Sequence, residues 1–346
     1  MWVSDPYCRP VLVRPLLAAT ALLLLVFLGV IAEPGATAPA PPEAQSSARA
    51  LPLIAARSGC FGAAARDPRR SCSDPRLRNY VYPRPALAQQ LPNGDCDPVE
   101  GGEDMSVCSF GADAEDATET VVLVGDSHAG HWRAGLDVVA RARGWRGLSI
   151  THSSCPLSKA VRDLAEADRF QSCAAWKNAV FAWFERHPEI KTVFVGGLTG
   201  GSGVFAANGQ SRFATSVRGY RSAWRALPST VQRVVVIRDT PKMRIATAAC
   251  VERALAKRRR AGASCSMPRR TVLDRDPMVV AASKMPANFV RVVDLTRFFC
   301  DRGPCYPVVG GALVLRDQNH MTEVFSSSLG PYLQRKVDAL WASWAS

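Results

Sequence analysis

The 346-residue sequence predicts an α/β fold, a flavodoxin-like three-layer α/β/α domain around a mainly parallel, five-stranded sheet. Two observations predict it. From residue 119 onward, short β-branched runs alternate with longer amphipathic ones, the pattern of parallel strands joined by crossover helices. That alternation ends in a long segment with helical character, suited to closing a layer on one face of the sheet.

The elements follow in order. Residues 120–124 form the first strand and 129–143 the helix after it. Residues 148–151 are the second strand. Ser172 is placed to cap a helix running to about Arg186, with Ala175, Val180, Phe181 and Phe184 on its apolar side. Residues 192–195 are the third strand and 212–226 its helix; 233–238 and 289–294 are the fourth and fifth strands, and 323–344 the closing helix. Trp132, Trp176 and Trp183 fall at helical spacing and read as core. In such sheets, ligands bind at the carboxyl ends of the strands.

Four regions follow from composition: 1–33, a cytoplasmic tip and membrane anchor; 34–58, an Ala/Pro-rich linker without a fixed fold; 59–118, a cysteine-bearing lead-in; and 119–346, the catalytic domain. Arg9 and Arg14 precede an apolar run over 16–32, at the short end of what crosses a bilayer as a helix. The positive-inside tendency puts residues 1–14 in the cytoplasm and the bulk of the chain outside, as a single-pass protein held at the membrane by its N-terminal helix. A cleaved signal peptide is the rival, since Ala36-Thr37-Ala38 offers a small-residue site; the protein is then secreted.

Cysteine usage agrees with export. Cys8 stands apart, and the other ten fall into five neighbouring pairs by spacing: Cys60 and Cys72, Cys96 and Cys108, Cys155 and Cys173, Cys250 and Cys265, Cys300 and Cys305. None has the two-residue gap of a zinc knuckle and the histidines are not interleaved with them, so no metal and no cofactor is expected. The net charge of +13 suits an exported protein facing an anionic envelope polymer or lipid surface better than nucleic acid. The densest basic run, 253–260, lies between Cys250 and Cys265 and reads as a solvated helix.

Two motifs carry chemistry. Gly125-Asp126-Ser127-His128 follows the first strand, and Asp317-Gln318-Asn319-His320 precedes the last helix. A serine hydroxyl is a poor nucleophile until an imidazole takes its proton, and a carboxylate fixes the tautomer that does so. Ser127, at a strand-to-helix turn, presents backbone N–H groups to a developing oxyanion at the positive end of the helix. Asp317 and His320, three residues apart, can reach the same cleft from one short loop.

These residues resemble the SGNH hydrolases, whose first block is Gly-Asp-Ser and whose last is Asp-x-x-His. The chain is closer still to the SGNH domain fused to, or working beside, acyltransferase-3 membrane proteins that O-acylate bacterial envelope glycans. Ser154-Cys155-Pro156 after strand two and Asp239-Thr240-Pro241 after strand four stand in that family's order, from about residue 119 to the end. The resemblance implies Ser127 as nucleophile, His320 as general base and Asp317 as its orienter. It implies Asp126, His128, Ser154, Gly196, Gly197 and Asp239 as oxyanion or substrate-binding residues. The multi-span acyltransferase domain is absent, so a separate membrane protein delivering the acyl group is the implied partner and an envelope glycan the substrate. The third block departs from the superfamily: Gly196-Gly197-Leu198-Thr199 stands where an oxyanion-donating Asn is usual, with Asn208 further along.

Four functions stay open at this level. They are an O-acyltransferase through an acyl-Ser127 intermediate, a carbohydrate acetylesterase, a non-catalytic glycan-binding protein, and a metal-dependent hydrolase using His128 and His131. The last is weakest, because no acidic residue stands at helical spacing beside the two histidines.

Overall fold

The computed structural model describes residues 51–346 apart from 71, 92–97, 102–104, 165, 200–202 and 346. The apolar run 16–32, Ala36-Thr37-Ala38, Cys8 and Cys96 lie outside the described residues. Among the described residues, no helix is long and apolar enough to cross a membrane.

Seven strands form the central sheet among the described residues: β1 Pro98–Gly101, β2 Ser106–Gly111, β3 Glu119–Gly125, β4 Trp145–Thr151, β5 Thr192–Gly196, β6 Arg233–Ile237 and β7 Val290–Val293. Their order is β1-β2-β4-β3-β5-β6-β7. The five strands β3 to β7 run parallel, whereas β2 pairs antiparallel with β4, and β1 antiparallel with β2. The sheet is therefore wider than the five strands expected from sequence. The extra strands come from the lead-in, where β2 alternates too briefly to announce itself and gains its stability by covering the open edge of β4.

The parallel strands are buried on both faces because their β-branched residues feed two cores at period two. Val121 and Leu123 face one core, with Leu136, Val139, Phe325, Leu329 and Leu333. Val122 and Val124 face the other, with Trp176, Val180, Val217, Tyr220 and Met278. The first layer holds α2 (Arg133–Arg143) and α7 (Glu323–Ala345); the second holds α3 (Ala167–Arg186), α4 (Arg212–Arg225) and α6 (Pro277–Ala282). The helix expected over 129–143 is split into a turn, α1 (Ser127–Gly130), and α2. Helix α3 begins five residues before Ser172, with Asp168 in its first turn, where a negative charge meets the helix dipole. Ser172 sits inside it, its hydroxyl bonded to His152 Nε2 at 2.8 Å.

Residues 51–58 are ordered, unlike the linker expectation: Leu53–Ala56 is a helical turn and Ala55 is buried in the main core. Phe61, Ala63 and Leu77 join the same core, and Ala63 N–H donates to Ser328 Oγ on α7 at 3.0 Å. Among the described residues, disulfides close the local loops Cys60–Cys72, Cys155–Cys173, Cys250–Cys265 and Cys300–Cys305. Cys108 is also disulfide-bonded. Helix α5 (Thr247–Ala256) leads into the Cys250–Cys265 excursion; the basic run 253–260, expected as a solvated helix, is helical only to Ala256, and Arg253 and residues 257–260 are solvent-exposed.

Candidate active site

Strand β3 pairs with β4 on one side and β5 on the other, and the chain runs from β3 to β4 and then back across to β5, so the carboxyl end of β3 lies at the topological switch point of the sheet. Gly125 ends β3 in register with Thr151 of β4 and Gly196 of β5. Gly125 has φ +151°, and a Cβ there would collide with the Gly196 carbonyl oxygen and Ala129. Only glycine lets the strand end this close to its neighbour and turn at once into α1. Asp126 then caps that turn, accepting from His128 N–H at 2.8 Å. Ser127 is the first residue of the turn, where a backbone N–H has no intrahelical acceptor.

The structure brings the two distant motifs together. His320 Nε2 lies 2.9 Å from Ser127 Oγ, and His320 Nδ1 lies 2.7 Å from Asp317 Oδ2. Asp317 Oδ1 accepts from the Asn319 and His320 amides at 2.9 and 2.8 Å. Burial raises the Asp317 pKa, but the hydrogen bonds from the His320 ring and from the two amides, with the His320 charge, outweigh it and hold the carboxyl below its usual range. An ionised carboxylate only accepts, so the Nδ1 proton faces Asp317 and Nε2 is left to accept from the Ser127 hydroxyl. The arrangement can draw a proton from Ser127 toward His320.

A second relay, which sequence reasoning did not assemble, lies behind the first. His128 Nδ1 is 2.6 Å from Asp239 Oδ1, and Asp239 also accepts from Thr199 N–H at 2.7 Å and Thr240 N–H at 2.8 Å. Asp239 N–H in turn donates to Asp276 Oδ2 at 3.1 Å. Burial disfavours a charged His128, but the contact with Asp239 and the nearby Asp126 prevail and hold its pKa above the ordinary value. Burial pushes the Asp276 carboxyl up to about 6. Asp126, His128 and Asp239 are 1 %, 1 % and 5 % exposed. At that burial the three side chains are packed inside the protein behind the Ser127 turn, whereas the resemblance implied oxyanion or substrate contact.

His131 joins this layer. Its Nδ1 accepts from Met321 N–H at 3.3 Å, tying the helix after Ser127 to the residue after His320. Burial first, then the charges of His128, His320 and Arg316, depress its pKa well below the ordinary value, so it is neutral. The loop 317–321 is further held by Met243 N–H to Gln318 O at 2.6 Å and by Thr240 Oγ1 to Asn319 O at 3.4 Å. The sequence signal for this layer was the pair of histidines at 128 and 131 together with Asp239-Thr240-Pro241, whose meeting depends on β6 lying next to β5.

His128, His131 and Asp239 each bring one donor atom within 4.8 Å of the others, so an acidic residue does join the two histidines, from a strand end. A metal fits this set poorly. One His128 nitrogen is taken by Asp239 and one His131 nitrogen by Met321, which leaves the two Nε2 atoms as the donors without a hydrogen bond. His128 Nε2 faces the Asn319 side chain closely enough to favour the charged ring, though outside hydrogen-bond geometry.

The remaining expected residues line the same edge. Ser154 follows β4 with φ +60°, a left-handed conformation uncommon for serine, and its Oγ accepts from Arg169 Nη2 at 3.0 Å. Gly196 ends β5 and Gly197 follows it, both buried, and the next two amides are taken, Leu198 N–H by Asp126 Oδ2 at 2.9 Å and Thr199 N–H by Asp239. Asn208 is exposed in a turn with φ +53°.

A three-layer domain with a serine at the switch point and a histidine on the loop entering its last helix defines the class of α/β domains built around a strand-end serine. Within that class the chain belongs to the family described as SGNH domain (fused to AT3 domains), matched over residues 94–335. The periplasmic domain of a lipopolysaccharide acetyltransferase from Salmonella ser. Paratyphi A has a similar fold, with a TM-score of 0.50 at 14 % identity, covering 64 % of this chain and 85 % of that one. The carboxylesterase CesB (YbfK) from Bacillus subtilis aligns with a TM-score of 0.31 at 12 % identity, covering 76 % of this chain and 97 % of that one. No curated protein sequence matches the chain.

Proposed function

We propose that the protein is an extracytoplasmic serine O-acyltransferase that moves a short acyl group onto an envelope polysaccharide through an acyl-Ser127 intermediate. The observation that carries this reading is the unbroken line from Asp317 through His320 to Ser127 Oγ, at 2.7 and 2.9 Å. His320 takes the Ser127 proton as Oγ attacks the acyl carbonyl. The proton then passes to the leaving group as the acyl-serine forms. An acceptor hydroxyl, deprotonated by His320, attacks the acyl-serine and frees Oγ. The Ser127 amide at the start of α1 and the Ser154 amide are the oxyanion donors on this reading, since the amides of Leu198 and Thr199 are already bonded. Membership of a family described as fused to AT3 domains supports a multi-span membrane partner as the source of the acyl group. The disulfides, the apolar run at 16–32 and the periplasmic origin of the similar acetyltransferase domain support a place outside the cytoplasm.

Hydrolysis is the second reading, favoured by an open relay: the side chains of His320 and Asp317 are 24 % and 40 % exposed, so water reaches them. Transfer requires the acceptor or the partner to cover this opening. The test is the purified full chain on an activated acetyl ester, with and without a glycan acceptor. Turnover that disappears in Ser127→Ala, together with labelling of Ser127 by a fluorophosphonate, is the expected result. An unchanged rate in Ser127→Ala ends the nucleophile assignment, and product only as free acetate, whatever acceptor is offered, selects the esterase.

A further inference from the structure

Between helices α4 and α6 lies a cleft of about 440 Å³ whose charged lining is of one sign. Arg218 and Arg221 enter it from α4, Arg275 from the turn before α6 and Lys284 from beyond its end, with no acidic residue in the lining. None of the four makes an ion pair among the described residues. Four cations gathered without a counter-charge repel one another across a partly buried space, where screening by salt is weaker than at an open surface.

Two details show donors held ready for a ligand. The Arg275 guanidinium stacks over the Phe213 ring, 4.6 Å from its centroid, which fixes its plane and leaves its N–H edge free. Arg221 Nε is buried with no hydrogen-bond partner among the described residues. A buried donor without an acceptor is destabilising, so an oxyanion drawn against this guanidinium is favoured. The floor is apolar, Val217 and Val280, as the C–H face of a sugar ring requires. A volume of this order suits one small ligand, for which sites run about 300–1,000 Å³. The cleft also adjoins the nucleophile's supporting layer: Arg275 precedes Asp276, which receives the Asp239 amide, and Asp239 holds His128 beside Ser127.

We propose that this cleft binds an oxyanion carried on a sugar ring of the acceptor polysaccharide, a carboxylate or a phosphate, and so holds an acidic glycan along the flank of the catalytic edge. This rests on the acyl-transfer reading of Ser127, and it narrows the acceptor to an anionic polymer. A concave site sized for one ring, with an apolar floor, favours a glycan over a membrane surface, which would meet a flat basic patch.

The test is calorimetric titration of the full chain with trigalacturonate, glucose 1-phosphate and neutral maltotriose. Binding is expected for at least one of the two anions and not for maltotriose; the tighter anion names the oxyanion. The Arg275→Glu/Lys284→Glu variant should bind that anion at least 30-fold more weakly. Should this variant fold poorly, Arg275→Gln/Lys284→Gln should show a smaller loss in the same direction. The Ser127→Ala chain should bind as tightly as the unaltered one, so failure of this site and failure of the nucleophile assignment are read separately. Equal affinity of the charge-reversed and unaltered chains, or no binding of either anion, overturns the proposal. So does charge-dependent binding to phosphatidylglycerol vesicles that the charge reversal abolishes while both sugar anions fail to bind.

Discussion

Replacing Asp317 with Asn tests the relay at its most constrained atom. Asp317 Oδ1 accepts two backbone N–H groups, at 2.9 and 2.8 Å, while Oδ2 faces His320 Nδ1 at 2.7 Å. An amide has one acceptor and one donor end, and the two backbone donors pin its oxygen at the Oδ1 position. The NH₂ must then face the ring, where it donates to Nδ1 and drives the ring proton to Nε2. A protonated Nε2 points at Ser127 Oγ as a donor and cannot accept its proton. In serine proteases the corresponding change lowers kcat about 10⁴-fold, and at about 1.36 kcal/mol per tenfold that is roughly 5.5 kcal/mol of barrier. His320 is more open to water here, so a loss of about a thousandfold or more is expected. Asp317 is half-exposed, so stability should change by no more than about 1 kcal/mol. The assay is hydrolysis of an activated acetyl ester by both chains, paired with urea unfolding. A kcat within tenfold of the unaltered protein, with the fold intact, refutes the tautomer argument and Asp317 as the orienting carboxylate.

Three further outcomes follow from the same geometry. Asp239→Asn breaks a buried pair and removes the carboxylate that His128 Nδ1 faces, so unfolding free energy should fall by about 3–5 kcal/mol; a change below 1 kcal/mol in urea titrations would show that the pair does not hold the fold. Burial, then the charges of Arg162 and Lys159, lower Lys177 to about 8 from 10.5. Its folded value lies below its unfolded one, so the stability tied to this group is complete above pH 10.5 and is lost as pH falls through 8; Lys177→Met should remove that slope between pH 8 and 10.5. Deleting Cys155–Cys173 as a double Ala variant opens a loop with a sequence separation of 18 beside Ser154. It should cost about 3 kcal/mol and lower kcat, and wild-type kinetics would show that the disulfide does not position the Ser154 turn.

Strands β3 to β7 were legible in the sequence because each carries a short run of apolar, mostly β-branched residues that the sheet buries, a requirement written locally in the strand. The flanking strands β1 and β2 were not, since their edge pairing depends on where β4 lies in the finished sheet. The start of α3 was misplaced because Ser172 has the chemistry of a cap, while the helix begins earlier, near Asp168. The ordered turn at Leu53–Ala56 escaped a composition argument because one buried alanine against the core is enough to dock it.

The positions of Ser127 and of the Asp317–His320 loop at one edge of the sheet were likewise readable, because a serine at a strand end and an Asp-x-x-His before a helix are motifs of adjacent residues. The layer behind them was decided only by tertiary structure. His128 and Asp239 stand 111 positions apart, and the Met321 amide meets His131 across 190. Nothing periodic links such residues along the chain. They meet because β6 lies next to β5 and the last loop folds over the turn after β3, and once there, burial strengthens their attraction and makes an unpaired partner costly.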